Sequence, residues 1–194
     1  MSMIFIIQVA LLVIIMLALL FYCLFIFDSI LATSRKEYID VPSSRKSLKN
    51  VIGILKELGV SDKNLIFYDL GSGHGKIAIG IKKAFPSFQS YGFDRSIFKI
   101  YFSRIRAVLN RTEVHFQRKN ILELDLRKAD IVFVYIWPST MEALSKKFRE
   151  ELKPGAFAVI STFPLSEYWQ PILTKETLSI KNDHTFEKIY VYRK

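Results

Sequence analysis

The stretch YDLGSGHGK, residues 68–76, decides how this chain folds. It lies between two apolar runs and packs three glycines, Gly71, Gly73 and Gly75, into five positions. Glycine clusters also occur in loops that bind nothing, so the flanks decide its meaning. Upstream, LIFYDL (65–70) reads as a fully buried strand; downstream, Lys76 to Phe85 reads as a helix stopped by Pro86. QSYGFD (89–94) then reads as a second strand that ends in an acid, Asp94, nineteen residues after Gly75.

Outward from this unit the alternation continues. Ser96 to Leu109 is expected to be a helix, EVHFQRK (113–119) a strand, DIVFVYIW (130–137) a strongly apolar strand and Ser139 to Leu152 a helix closed by Lys153-Pro154-Gly155. AFAVISTF (156–163) is one more strand. Strands alternating with helices predict an α/β fold, a Rossmann-like, doubly wound parallel sheet with helices on both faces. The tail departs from that rhythm: ETLSIK (176–181) and FEKIYVYR (186–193), joined by Asn182-Asp183-His184-Thr185, read as an antiparallel hairpin. Before the first strand, Leu48, Val51, Ile52, Leu55 and Leu58 recur at helical spacing from Ser44 to Leu58, with lysines opposite and Gly59 at the end.

A glycine turn between strand and helix, followed by an acid at the end of the next strand, lets backbone approach a ligand while the acid accepts from ribose hydroxyls. Dinucleotides and S-adenosylmethionine both use that geometry, so spacing discriminates. The order here is G-x-G-x-G rather than the dinucleotide G-x-G-x-x-G, and the P-loop spacing is absent. Asp69 stands two residues before Gly71, where it would repel a pyrophosphate but suit the amino and sulfonium groups of S-adenosyl-L-methionine. Asp69, Gly71, Ser72, Gly73, Gly75 and Asp94 are therefore the expected cofactor contacts. Asn120, after the third strand, reads either as a partner of the adenine amino group or as a plain loop residue.

With those residues on the page the chain resembles the class I, seven-stranded methyltransferases over about residues 38–193. The resemblance implies a seven-stranded sheet whose last antiparallel strand the terminal hairpin supplies. The DNA and many protein-glutamine enzymes of that family carry an Asn/Asp-Pro-Pro-Tyr type motif at the end of the fourth strand, whose polar groups hold a planar amine. Tyr135-Ile136-Trp137-Pro138 stands there instead, which argues against methylation of a nucleic-acid base. A narrower resemblance is to protein-lysine methyltransferases that include archaeal enzymes and membrane-anchored mitochondrial enzymes acting on a component of the ATP synthase. It rests on Tyr38-Ile39-Asp40-Val41-Pro42, on the glycine loop, and on MEALSKKFREELKPGAFAVISTFPL (141–165). His74 and Lys76 depart from it, standing where that family often has Asp and Arg. The resemblance implies that Tyr38 and Ser43 close over the cofactor.

Methyl transfer from a sulfonium to an amine is an in-line displacement, so alignment supplies much of the acceleration and no nucleophilic side chain is needed. Lysine must first lose a proton, from a reference pKa near 10.4, and a poorly solvated aromatic channel lowers that value. Tyr135, Trp137 and Pro138 are the expected catalytic residues, lining that channel; Trp137 and Tyr135 have the alternative reading of a cap on the core. His74 reads as exposed or lying behind the contacts, and His115 and His184 as structural. No metal-ligand spacing is present, so no metal is expected.

The N-terminus adds a second theme. Residues 3–27 carry no charge and one strongly polar residue, Gln8. As a helix they would span roughly 37 Å against a hydrocarbon core of about 30 Å. A cleaved signal peptide would need a basic leading region, yet no Lys or Arg precedes Arg35, and Leu31-Ala32-Thr33 is a poor cleavage site. A single-pass anchor is therefore expected, with Arg35, Lys36, Arg45, Lys46 and Lys49 placing the C-terminal side in the cytoplasm or its equivalent and the N-terminus outside. The expected organisation is anchor and flank over 1–34, juxtamembrane linker and leading helix over 35–64, and methyltransferase domain over 65–194. All 28 Lys and Arg lie at or after Arg35, with 17 of the 18 acids, so this part carries +11. That charge suits an anionic leaflet or acidic surface, or serves solubility alone. The lone cysteine, Cys23, lies in the span and agrees with a reducing compartment.

The expected function is thus methylation of protein lysine at a membrane, with the bilayer as partner through residues 3–27 and nucleic acid not expected as substrate. Two alternatives stay open: methylation of a lipid or quinone headgroup, and a tethered cofactor-binding module without catalysis.

Overall fold

The computed structural model describes residues 3–33, 45–61, 63–165, 169–178 and 186–194. The chain divides into two compact units, Met1–Tyr38 and Ile39–Lys194. The first holds α1 (Met3–Thr33), a helix whose segment Met3–Phe27 is long and apolar enough to cross a membrane and is not buried within the protein. Residues 3–27 carry no charged side chain and present no polar face.

The second unit is built on one sheet. Its elements run α2 (Arg45–Glu57), β1 (Ile66–Leu70), α3 (Lys76–Ala84), β2 (Gln89–Asp94), α4 (Ile97–Leu109), β3 (Val114–Arg118), β4 (Ile131–Val134), α5 (Met141–Glu151), β5 (Phe157–Ser161), β6 (Leu173–Leu178) and β7 (Phe186–Arg193). The strand order is β3-β2-β1-β4-β5-β7-β6. The first five strands are parallel, and β7 enters antiparallel between β5 and β6. The order reverses between β1 and β4, and open sheets of this kind bind ligands at the carboxyl ends of strands beside such a reversal.

Both faces of the sheet are covered, as strands with continuous apolar runs require. Phe67, Ile131, Phe133 and Val159 meet Val51, Ile54 and Leu55 of α2 and Ile77 and Ile81 of α3 on one face. Tyr68, Leu70, Val132, Val134 and Ile160 meet Leu144 and Phe148 of α5 on the other. A smaller cluster joins Ala78 and Ile79 of α3 to Ile100 and Ala107 of α4 over Phe116 of β3. On the open edge of the sheet, Arg104 of α4 donates from Nε and Nη2 to the Phe116 carbonyl at 3.0 and 2.7 Å, satisfying an acceptor that no strand reaches.

Three strand expectations need correcting: the fifth strand, expected to run to residue 163, ends at Ser161 because Thr162 turns into the left-handed region. The fourth strand ends at Val134, not Trp137, because its pairings with Leu70 and Ile160 end there. The sixth begins at Leu173, three residues before the expected Glu176, because Leu173 pairs with Val191. The expected helix from Ser139 opens as a 3-10 turn, Pro138–Thr140, before α5 begins. The expected linker before Arg45, Ser44 as a helix cap, and the turn Asn182-Asp183-His184-Thr185 lie outside the described residues.

Candidate active site

The carboxyl ends of β1 and β2 are tied together by backbone. Gly71 N and Ser72 N both donate to the Phe93 carbonyl, at 2.8 and 2.9 Å. Gly73 N donates to Asp94 Oδ2 and Ser96 N to Asp94 Oδ1, each at 2.9 Å. Asp94 is therefore buried against the glycine loop with one bond on each oxygen, and each oxygen keeps a further lone pair for a ligand.

Gly71, Gly73 and Gly75 have φ of 79°, 52° and 74°, the left-handed region that side chains disfavour. Their surroundings differ. A Cβ on Gly75 would lie 2.5 Å from Phe116 Cζ and 3.0 Å from Ser103 Cβ, so this glycine lets α3 and α4 close over β3. A Cβ on Gly71 would lie 2.9 Å from Ile136 Cγ2, so the chain leaving β4 rests against the loop. A Cβ on Gly73 meets nothing within 4 Å: this is the point where the loop presents bare backbone to open space.

Asp69 is only 2% exposed, beneath the loop. Its Oδ2 accepts from Ala78 N at 3.1 Å. Ala78 is in the first turn of α3, whose N-cap, Gly75, has no side chain to offer, so Asp69 caps the helix from the neighbouring strand. Burial pushes its carboxyl up to about 7; the Ala78 N–H partly opposes that, and the charge of Asp94 adds to it. A carboxyl so placed gains its full charge when a cation arrives nearby. Ser72 Oγ is buried without a hydrogen-bond partner, and a Cβ on Gly92 would lie 2.9 Å from it. His74 is exposed; its carbonyl accepts from Arg106 Nη1 at 3.3 Å, and its ring centroid lies 6.4 Å from that of Phe102.

Past β4, Tyr135 and Ile136 pack against opposite clusters of the core. Trp137 is half-buried and stacks on Phe163, with centroids 6.1 Å apart and planes 29° from parallel. Pro138 is exposed at the start of the following 3-10 turn. Thr162, just before Phe163, has φ of 78° and donates from its N–H to the Lys188 carbonyl at 2.7 Å. A β-branched residue in that region stores roughly 1–3 kcal/mol of strain, held here by β7.

The structure thus brings Asp69, Gly71, Ser72, Gly73, Gly75 and Asp94 together, with Ile136 against Gly71. Asn120 is exposed and engaged within its own turn, its Oδ1 accepting from Leu122 N at 3.2 Å and its Nδ2 donating to Glu123 at 2.9 Å. Tyr38 and Ser43 lie outside the described residues. Sequence reasoning did not single out Phe163 or Ile136. An aromatic just before Pro164 was the available signal for Phe163; its pairing with Trp137, 26 residues away, comes only from the adjacency of β4 and β5.

Residues 69–173 match the family model of the ANTKMT methyltransferase domain. A protein-lysine N-methyltransferase from Saccharolobus islandicus is 28% identical over 159 residues, 78% of this chain and 91% of that protein. The adenine nucleotide translocase lysine N-methyltransferase from Mus musculus is 30% identical over 139 residues, 68% of this chain but only 56% of that relative. Among solved structures, an RNA methyltransferase from Salinibacter ruber in complex with S-adenosyl-L-homocysteine superposes with a TM-score of 0.67 at 24% identity, covering 79% of this chain and 93% of that one. At that identity the likeness is one of fold.

Proposed function

The chain belongs to the family of the ANTKMT methyltransferase domain and is an S-adenosylmethionine-dependent methyltransferase, and we propose that it methylates lysine side chains of protein at a membrane to which α1 anchors it. One observation carries the reading: Ile136, in the aromatic segment past β4, rests against Gly71 of the loop whose midpoint, Gly73, is tied to Asp94. Acceptor-facing chain and cofactor loop are therefore neighbours. When bound, S-adenosylmethionine supplies the methyl group as an electrophile.

The residues present fit that molecule. Gly73 offers open backbone, Asp94 keeps lone pairs for ribose hydroxyls, and Ser72 Oγ is a buried group without a partner. Asp69, under the loop, holds the first turn of α3 and sets a negative field that favours a cationic ligand. Trp137 stacked on Phe163, with Pro138 opening the turn that follows, offers an aromatic face that strips water from an incoming amine, whereas Tyr135 packs on the other side of the sheet with α2 and α3. Desolvation of that kind lowers an ammonium pKa and yields the neutral amine. What supports lysine as the acceptor is that the similar proteins are lysine N-methyltransferases and that Tyr135-Ile136-Trp137-Pro138 follows β4.

The anchor reading is supported by the length and apolarity of Met3–Phe27, and its orientation by the basic residues that follow. The N-terminus then lies outside and residues 35–194 on the cytoplasmic or equivalent side. Calorimetric titration of the full chain in detergent micelles with S-adenosylmethionine tests the site. Asp94→Ala is expected to weaken binding at least about tenfold, the loss of roughly one charged hydrogen-bond partner. Affinity unchanged in that variant would overturn the assignment of Asp94.

A further inference from the structure

A surface helix ordinarily turns its large apolar residues inward. In α4 the order is reversed. The residues it buries are Ile100, Ser103 and Ala107, two of them small. Ile97, Tyr101, Phe102, Ile105, Val108 and Leu109 are exposed, Val108 and Leu109 by 76% and 78%. Among the described residues beyond α1, eight large apolar side chains are exposed, and six of them are these. At 100° per residue they form one continuous stripe opposite the buried seam. Scattered exposed apolar residues need no explanation, but a contiguous stripe marks a surface that meets something.

The stripe is bordered by cations. Arg104 flanks one side, and Lys99 and Arg106 the other. Residues 95–119 hold seven Lys or Arg against one acid, Glu113. Arg104 and Arg106 donate to the carbonyls of Phe116 and His74, contacts that leave their charge uncompensated. An apolar stripe containing Tyr and Phe between rows of cations has the composition of a helix lying in the plane of an anionic lipid surface. We infer that α4 is a second membrane contact, seated in the headgroup region of an anionic leaflet with its exposed stripe toward the acyl chains. The inference rests on the reading of α1 as an anchor, which keeps the domain beside the bilayer: Phe27 and Arg45 are eighteen residues apart in the chain.

The test uses the full chain with Cys23→Ser, reconstituted into phosphatidylcholine vesicles with or without phosphatidylserine and containing nitroxide-labelled lipid. A bimane fluorophore is placed through Ile105→Cys or, on the exposed face of α5, through Glu150→Cys. Nitroxide quenching at 105 is expected to exceed that at 150 several-fold when phosphatidylserine is present. It should fall toward the level at 150 in high salt, and in Lys99→Gln with Arg106→Gln at unchanged circular dichroism. Equal quenching at the two positions would overturn the inference. So would protection of position 105 that rises with protein concentration in lipid-free micelles, the mark of a second copy, or that requires an added membrane protein. Alkaline carbonate extraction of the same vesicles separates the two readings: release of the protein defeats the anchor, whereas retention with an unquenched position 105 defeats only the α4 contact.

Discussion

Helices α3 and α4 follow successive strands, pack against each other over Phe116 and flank the same glycine loop, yet they aim their apolar residues in opposite directions. α3 buries Ile77, Ala78, Ile79 and Ile81, and its last turn offers Lys82 and Lys83. α4 gives the protein interior only Ile100, Ser103 and Ala107. The small residue at Ser103 has a local reason, since it lies against Gly75 where the two helices close. The apolar stripe on the far side of α4 has none among the described residues. One helix is explained by the fold and the cofactor loop; the other leaves its large apolar residues uncovered among the described residues, which is what the proposed membrane contact accounts for.

The largest break in this comparison comes at Gly75, where the two helices meet. Gly75→Ala combines a positive φ with contact to the Phe116 ring at 2.5 Å, neither of which a flexible surface group relieves. The loss of stability is expected to exceed about 4 kcal/mol, so that the variant expresses unfolded or melts far below the parent. A melting temperature within a few degrees of the parent would show that α3 and α4 are not held together here.

Asp69, the cap of α3, provides a change of opposite sign. Its carboxyl is raised from 3.8 to about 7, so the native state binds a proton that the unfolded chain has already released between those values. The contribution of Asp69 to the stability of the ligand-free protein is therefore fully present below about pH 4, falls as pH rises toward 7, and stays lost above it. Asp69→Asn keeps an acceptor for Ala78 N and removes the charge. Denaturant unfolding should find the variant more stable than the parent at pH 8, by no more than about 4 kcal/mol, with the difference vanishing near pH 4. A variant less stable than the parent at pH 8 would contradict this. Binding of S-adenosylmethionine should weaken in the same variant, the usual opposition between a charged site and stability.

A matched pair of substitutions sharpens the contrast most finely. Ile81→Ala removes a fully buried side chain from α3 and should cost about 3 kcal/mol. Ile105→Ala removes an exposed one from α4 and should change stability in micelles by less than about 0.5 kcal/mol. A cost at Ile105 comparable to that at Ile81 would mean that the stripe is covered by protein after all.

How much of this was legible in the sequence follows the same division. Strands β1, β2, β3 and β7 were readable within a residue or so, because each is an apolar run or alternation cut by Gly, Pro, Asn or Asp. The glycine loop and its two acids were readable because their spacing is local. β4 was read too long because apolarity continues through Tyr135, Ile136 and Trp137 after the pairing partners stop. β6 was read to begin three residues late because Leu173-Thr174-Lys175 has no clear alternation and is fixed by its register with β7. Trp137 on Phe163, Ile136 on Gly71 and the left-handed Thr162 are long-range consequences of strand order, which no local pattern carries. For α4 the periodicity identifies a helix but not which side faces the sheet, and its outward stripe became visible only with Ser103 placed on Gly75.

Methyl transfer to protein lysine beside a membrane is tested most directly by radiolabelling. Full-length protein in vesicles is incubated with methyl-labelled S-adenosylmethionine and a membrane extract, and the products are separated into protein and lipid. Label is expected in the protein fraction, recovered as methyl-lysine after hydrolysis. Label confined to the lipid phase, or cofactor bound with no labelled product, would contradict the assignment.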